Sequence, residues 1–362
     1  MPLCNLLGSS LFTLLLLTAG CHGDTSQVNT ASPITFRIAF GSCAHQDHPQ
    51  PLLEVATGLA PDAFIYLGDN IYGDTYIMDT LRAKYGRLAA KPEFQRLRAA
   101  TQVFAVWDDH DYGWNDAGRH YAMKEASKQI FLDFWQVPVN NPRYNHPGIY
   151  GVEYLERDGK TVQLVLLDTR TFRDDLRRRT DRDTAFKNDY VPYETADSTL
   201  LGTAQWAWLD SVLRVPAAAR IIASSNQFGH SYNGWESWTN VPHERQRMID
   251  VIARTKAQPL FFISGDVHWG EISRLDTEQG GTLYDVTSSG ITSTWDVIEP
   301  NSNRVGQAIP QNNVGLIEIE FPTQDKSAYA NGAVARLALY DSTATPVVKT
   351  SVKLGELSNP ND

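Results

Sequence analysis

Residues that can bind a metal ion recur in this sequence at the ends of short apolar runs. Five of the six clearest runs end in this way, at Cys43, Asp69, Asp109, Asn226 and Asp266. One carboxylate after a strand is commonly a turn residue, but its repetition along the chain is hard to explain by structure alone. The pattern therefore predicts a metal site assembled from several loops.

Three segments carry the strongest signals. In segment 68–72 (GDNIY), the glycine permits a sharp turn that leaves Asp69 free to bridge two cations. Segment 107–111 (WDDHD) places acidic and imidazole side chains in succession, which favours a bound cation, with a solvated charged turn as the alternative. In segment 265–268 (GDVH), side-chain alternation points Asp266 and His268 to the same side.

The elements that must position these residues alternate between strands and helices. Apolar runs rich in β-forming residues cover 35–43, 63–69, 103–109, 162–168, 221–226 and 260–266. Helical patterns cover 84–99, 124–135, 203–213 and 243–257, and later strands cover 282–287, 314–321, 335–340 and 347–354. This order predicts an α/β sandwich whose metal-capable residues converge beyond the carboxyl ends of the strands. Segment 173–200 has no clear period and predicts a long surface loop.

Charge limits the partners that this chain can have. The protein has 362 residues, a formal net charge of -10 and a pI of about 5.4. Such a surface cannot neutralise a nucleic-acid backbone, so we expect no nucleic-acid partner. A small phosphorylated molecule remains compatible, because bound cations reverse the local field.

The N-terminal segment predicts export. Residues 1–20 carry no charged side chain, and the apolar run 11–17 is too short to span a bilayer. The small residues before Cys21 resemble a lipoprotein cleavage site, which predicts a signal peptide at 1–20, a lipidated Cys21, a tether at 21–34 and one domain at 35–356. The expected location is the periplasmic side of the cell envelope, with the membrane reached through the lipid. Cleavage by ordinary signal peptidase is the alternative.

Beyond these signals, the sequence resembles the PhoD-like (alkaline phosphatase D) branch of the calcineurin-type metallophosphoesterases. The resemblance runs from about residue 36 to 291 and includes the blocks 40–43 (FGSC), 167–170 (LDTR) and 201–209. It implies two mixed β-sheets flanked by helices, and hydrolysis of phosphoric esters at a two-metal site.

The resemblance also implies two ligand sets. The first metal would be held by Cys43, Asp69, Tyr72 and His268, and the second by Asp69, Asp109, Asn226 (or Gln227) and Asp266. Thiolate and phenolate donors suit Fe(III), with Zn²⁺ as the substitute, whereas the all-oxygen set suits Ca²⁺ or, less readily, Mg²⁺. We therefore expect Fe(III) with Ca(II). A calcium-stabilised scaffold without iron, in which Cys43 is a buried thiol, is the alternative.

Three further residues receive roles in this interpretation. His110 would stabilise the transition state or protonate the leaving oxygen, with Asp111 orienting its ring. Arg170 would bind a phosphate oxygen, or else form an ion pair with Asp168 or Asp174. The bulky residues that flank the motifs, and that would form a substrate rim, are Trp114, Trp235, Trp269 and Tyr232.

Several substrates fit such a site. Phosphomonoesters and phosphodiesters are both compatible, including phospholipid headgroups and teichoic-acid-like polymers. The first alternative is an enzyme that is mainly a phosphodiesterase, similar to phospholipase D. The second is a surface-binding lipoprotein that has kept the fold and lost the activity; it would require lost ligand residues, and no ligand position is missing.

Overall fold

Two six-stranded sheets form the frame of this protein. The computed structural model describes residues 32–180, 189–322 and 332–357. The strands are β1 Ile34–Gly41, β2 Ala63–Leu67, β3 Gln102–Val106, β4 Gly151–Arg157, β5 Lys160–Leu166, β6 Ala219–Ala223, β7 Leu260–Ser264, β8 Gly270–Thr277, β9 Gly281–Ser288, β10 Val314–Phe321, β11 Val334–Tyr340 and β12 Pro346–Lys353. The α-helices are α1 Leu52–Gly58, α2 Met78–Ala89, α3 Pro92–Ala100, α4 Asp109–Tyr112, α5 Lys124–Phe134, α6 Gly202–Leu213 and α7 Pro242–Thr255. Within the described ranges, no helix has both the length and the apolar character that a bilayer crossing requires.

Both sheets are mixed. The first has the order β12-β11-β10-β1-β2-β3, with β1, β2 and β3 parallel to one another and the other pairs antiparallel. The second has the order β4-β5-β6-β7-β9-β8, with β5, β6, β7 and β9 parallel and an antiparallel strand at each edge. The parallel strands of each sheet place their carboxyl ends at one edge, where the loops that follow them meet.

The central strands are apolar on both faces because helices and the other sheet cover them. Every residue of β2, β6 and β7 is buried. Continuous apolar runs of this kind are typical of parallel strands that are covered on both sides. The α/β architecture of two mixed sheets with flanking helices, expected from the sequence, is confirmed.

Several boundaries differ from those expected. The strands before the motifs end two or three residues early, so that the metal-capable residues lie in the following turns. The helix expected at 84–99 is two helices, because Pro92 begins α3 and cannot continue α2. The sequence patterns did not predict α1, β4 or β8. In the described parts of segment 173–200 there is no helix or strand, apart from a single bridge between Arg178 and Tyr190. The signal peptide, Cys21 and most of the tether lie outside the described residues.

Candidate metal centre

The turns after the parallel strands hold their residues in an uncommon backbone conformation. Cys43, Asp69, Asp266 and His268 all have left-handed φ angles, of 58°, 49°, 73° and 63°. Residues other than glycine adopt this region rarely, and they keep it where the surrounding structure fixes them, often at functional sites. The turns thus aim their side chains into one space rather than along the strands.

The strand-end cluster, as we call it, consists of Cys43, Asp69, Asp109, His110 and His268. Two groups within it have all their potential ligand atoms within 4.8 Å of one another, namely Cys43 with Asp69 and His268, and Asp69 with Asp109 and His110. Asp69 belongs to both groups. The cluster joins the two sheets, because His268 follows β7 of the second sheet and the other four residues follow β1, β2 and β3 of the first.

The first group is oriented by neighbouring polar atoms. The Cys43 Sγ lies 3.6 Å from an Asp69 oxygen and 3.2 Å from the Ser289 hydroxyl. His268 Nδ1 lies 3.1 Å from the carbonyl oxygen of Ser293, and donating to it leaves Nε2 free to bind a metal. The Tyr72 hydroxyl is buried beside Cys43 and makes no hydrogen bond of ordinary geometry to a described residue.

Asn226, and not Gln227, faces the carboxylates. The Asn226 amide nitrogen lies 3.4 Å from an Asp266 oxygen. The Gln227 side chain points elsewhere: it donates to Glu271 at 2.8 Å and accepts from Asn233 at 2.9 Å. Of the two residues that the sequence left open, Asn226 is therefore the one in position to bind a metal beside Asp266.

Charge at the centre is not balanced by the protein alone. Burial raises the pKa of the Asp69 carboxyl well above its usual range, against the opposing effect of His110. Burial likewise raises the pKa of the Cys43 thiol. Asp69 Oδ1 and Asp108 Oδ2 are buried without a hydrogen-bond partner among the described residues. Buried anionic oxygens are normally paired or bound to a metal, so the donor set fits one or more cations.

The partner of the His110 ring is Asp74, which corrects the expected role of Asp111. His110 Nδ1 lies 2.8 and 2.9 Å from the two carboxylate oxygens of Asp74. Burial alone would lower the pKa of His110, but the carboxylates of Asp69 and Asp109, with the Asp74 hydrogen bond, raise it to about 11. These carboxylates favour the protonated ring, and Asp74 holds the ring by Nδ1.

Asp111 has a different role because its side chain turns away from His110. Its oxygens accept hydrogen bonds from the backbone N–H groups of Asp69 and Asp108, at 3.1 and 2.7 Å. They also accept from the side chains of Asn70 and Tyr85, at 2.6 and 3.2 Å. Asp111 thus fastens the turn after β2 to the turn after β3.

Arg170 also differs from its expected role. Its guanidinium is fully buried and pairs with Asp108 and Glu236, with the Glu236 contacts at 2.7 and 2.5 Å. The expected ion-pair partners, Asp168 and Asp174, do not pair with its guanidinium. Burial tends to raise the pKa of Asp109, but Arg170 and His110 lower it to about 2, so Asp109 is anionic. Arg170 is a fixed buried cation that orders the carboxylates, and its donors are already in use.

The expected aromatic rim is only partly present. Trp114 is exposed, and Trp235 and Tyr232 are half-buried, but Trp269 is fully buried and belongs to the core. A residue that sequence analysis missed, Trp295, stacks on the His268 ring with centroids 4.7 Å apart.

Asp74, Glu236 and Trp295 lie outside the motifs, in loops. Only Asp74 had a local signal, since Gly73-Asp74 repeats the Gly-Asp pair of segment 68–69. Glu236 and Trp295 had none, because their positions depend on loops that fold back over the site.

The two mixed sheets carry a cluster of acidic and other metal-capable side chains where their parallel strands end, so they form an α/β scaffold around a candidate metal centre. The sequence profile of the PhoD-like phosphatases matches residues 38–329, and the chain belongs to this family. Alkaline phosphatase D from Bacillus subtilis is 22% identical over 283 residues, which cover 67% of this chain and 48% of that protein. The chain thus spans about half the length of the curated relative that it matches.

Solved structures support the same fold. A structure of PhoD superimposes with a TM-score of 0.64 at 18% identity, covering 89% of this chain and 72% of that one. A dimetal phosphatase from Danio rerio superimposes with a TM-score of 0.51 at 13% identity, covering 88% of this chain and 99% of that one. At these identities the likeness shows the fold alone.

Proposed function

We propose that the protein hydrolyses phosphate esters at a centre for two metal ions that share Asp69. The observation that carries this proposal is the position of Asp69: its buried carboxylate lies within 4.8 Å of potential ligand atoms of Cys43 and His268 and, in a second group, of Asp109, and one of its oxygens has no partner among the described residues. A carboxylate of this kind is suited to bridging two cations. The further ligands proposed are Cys43, Tyr72 and His268 for one ion, and Asp109, Asn226 and Asp266 for the other.

The donor types favour Fe(III) at the Cys43 position and Ca(II) at the all-oxygen position, with Zn²⁺ and Mg²⁺ as possible substitutes. Metal ions in such centres supply Lewis-acid activation of water and neutralise the phosphoryl oxygens. The chain itself supplies the proton for the leaving group. The Asp74 carboxylate holds His110 by Nδ1, so that the Nε2–H of the protonated ring is free to protonate the leaving oxygen.

Metal analysis of the purified protein, with its visible absorption spectrum, tests this assignment. We expect about one iron and one calcium per chain, with a charge-transfer band from Tyr72 or Cys43. In Cys43→Ser the iron content and the band should fall while calcium is retained. Cys43→Ser with unchanged iron, colour and activity would instead identify Cys43 as a structural thiol.

The substrate is a phosphomonoester, a phosphodiester, or both. Release of phosphate from an aryl monoester, compared with cleavage of the matching bis-aryl diester, separates these activities. Replacing the shared ligand in Asp69→Asn should abolish both of them. A folded wild-type protein, loaded with metal, that cleaves neither ester would favour a binding function for this fold.

We further propose that the protein is exported and attached to the membrane of the cell envelope through Cys21. The support is the apolar run 11–17 followed by small residues and a cysteine. Cell fractionation of the wild type and of Cys21→Ser tests it. The wild type should be found with the membrane at mature length, and the variant should be released or retained only as the longer precursor. Equal membrane association of both at mature length would contradict lipid attachment at this residue.

A further inference from the structure

Trp295 lies at the border of the strand-end cluster with one side toward solvent. Its ring stacks on that of His268, with centroids 4.7 Å apart and planes inclined by 28°. Its backbone N–H donates to the His268 carbonyl oxygen at 3.0 Å, which ties the loop to the turn after β7. The residue is nevertheless 41% exposed. A large aromatic side chain held next to a catalytic centre and left exposed is typical of a ligand contact.

Trp235 packs against Trp295, and the two rings form a corner. It meets Trp295 edge to face, with centroids 5.5 Å apart and planes inclined by 61°. The Trp235 ring is fixed in turn, because its Nε1 donates to Glu299 at 3.2 Å. We call these two residues the tryptophan corner. Aromatic rings prefer offset-stacked or edge-to-face neighbours. A planar group in the corner would have one ring to stack on and a second ring to contact edge to face.

The charge around the tryptophan corner limits what the corner can accept. Asp296 follows Trp295 and is exposed, and the Glu299 carboxyl borders Trp235. Arg170, the cation buried among the acidic residues, has its donors occupied by Asp108 and Glu236. A leaving group with several negative charges, such as a polymeric phosphate chain, would meet these carboxylates. The carboxylates would not repel a neutral planar group.

We propose that the tryptophan corner binds the leaving group of the substrate and selects esters of neutral alcohols that carry a planar aromatic ring. Such alcohols include phenols and nucleosides, which share a flat ring that stacks on Trp295. This inference rests on the proposed function, because it places the scissile phosphate at the strand-end cluster and the ring of the leaving group at the corner.

The test compares matched esters in matched variants. Phenyl phosphate and cyclohexyl phosphate have rings of similar size, and only the first ring is planar and aromatic. In Trp295→Ala, kcat/KM for phenyl phosphate should fall about tenfold, while kcat/KM for cyclohexyl phosphate should change less than about twofold. Trp295→Phe should restore most of the loss. Tyr154→Ala removes another exposed aromatic side chain, on the edge strand β4 and outside the expected rim, and it should leave the ratio of the two esters unchanged.

A second pair of ligands separates nucleosides from phenols. Adenosine 5′-phosphate and ribose 5-phosphate differ in the base, so a Trp295-dependent preference for the former identifies nucleoside esters as substrates. The same dependence with phenyl phosphate alone identifies aryl esters. An equal loss for all esters in Trp295→Ala would show that Trp295 only supports His268, and it would overturn the proposal. A wild-type preference for phosphocholine, whose alcohol is cationic and not planar, would also overturn it.

Failure of the proposed function remains distinguishable from failure of this inference. Calorimetric titration of the metal-loaded protein with adenosine 5′-phosphate and ribose 5-phosphate measures binding without turnover. Tighter binding of the nucleotide that is lost in Trp295→Ala supports the corner even if no ester is cleaved. Equal binding of the two ligands by an active enzyme contradicts the corner and leaves the hydrolase intact.

Discussion

Two aspartates, Asp111 and Asp74, have different roles beside His110. Asp111 directly follows His110 in the chain, but its side chain accepts hydrogen bonds from donors other than the ring. Asp74 is 36 positions away and holds the imidazole. The backbone supports this pairing, since the Gly73 N–H donates to the His110 carbonyl oxygen at 2.9 Å. Adjacency in sequence is therefore a poor guide to which carboxylate orients a histidine.

Replacing Asp74 should weaken proton donation by His110. In Asp74→Asn we expect kcat for an alkyl phosphate to fall by roughly a hundredfold, because His110 loses the carboxylate that orients and charges it. The loss should be smaller for an aryl phosphate with an acidic leaving group, which needs less protonation, and KM should change little. Steady-state kinetics over a series of leaving groups measures this. Asp79→Asn, an exposed aspartate on α2, is the control. An equal loss for all leaving groups would contradict the role.

Replacing Asp111 should affect stability instead. The amide group of Asp111→Asn would face N–H or O–H donors that now bind a carboxylate oxygen, namely those of Asp69, Asp108, Asn70 and Tyr85. We expect a loss of about 1–3 kcal/mol in the free energy of unfolding, measured by chemical denaturation. The dependence of the residual kcat on the leaving group should stay that of the wild type. A wild-type stability with an altered leaving-group dependence would reverse the roles assigned to Asp74 and Asp111.

At the level of elements, the sequence predicted the strands better than the turns. Apolar runs identified the strands that precede the motifs, because strands covered on both faces are mostly apolar. The tight turns after them were assigned to the strands, since no local signal shows where the backbone becomes left-handed at Cys43 or Asp69. The Glu236 and Trp295 loops could not be placed, because tertiary contacts and not local pattern fix their positions.

The turn after β2 depends on a glycine. Gly68 has φ 98°, and a Cβ at this position would overlap the side chain of Asp108. In Gly68→Ala we expect a loss of about 2–4 kcal/mol in the free energy of unfolding, together with reduced metal content, because Asp69 is displaced. Gly86→Ala is the matched control: this glycine lies within α2 with open space around its Cα, so the variant should gain up to about 1 kcal/mol. Full metal content in Gly68→Ala would contradict the importance of this turn.

At the level of the whole molecule, one buried histidine should make stability depend on pH. Burial lowers the pKa of His230 to about 4, and its Nε2 lies 3.8 Å from a Glu271 oxygen while Arg304 lies nearby. The unfolded imidazole binds a proton near pH 6.5 and the folded one does not. The contribution of His230 to stability should therefore fall as pH drops from about 6.5 to about 4, by up to about 3 kcal/mol. Thermal unfolding of His230→Asn should show less of this decline, whereas the exposed control His120→Asn should show all of it.

The strand-end cluster also couples the two sheets, because Asp69 follows a strand of the first sheet and His268 one of the second. A metal that binds only the folded state adds RT ln(1 + [L]/Kd) to the stability, which is about 2.7 kcal/mol at a hundredfold excess over Kd. Chelation should therefore lower the unfolding midpoint of the wild type by several degrees. It should also reduce hydrogen-exchange protection around 42–44 and 265–268 together.

Asp69→Asn removes the carboxylate common to both ligand groups, so its unfolding midpoint should no longer respond to the chelator. Asp79→Asn, which leaves the cluster intact, should keep the full response. The Asp69 variant has a second expected property. Without metal it should be at least as stable as the chelated wild type, because it no longer buries an ionisable carboxyl whose charged form is disfavoured by burial. A chelator effect confined to one sheet, or one that persists in Asp69→Asn, would contradict a metal centre shared through Asp69.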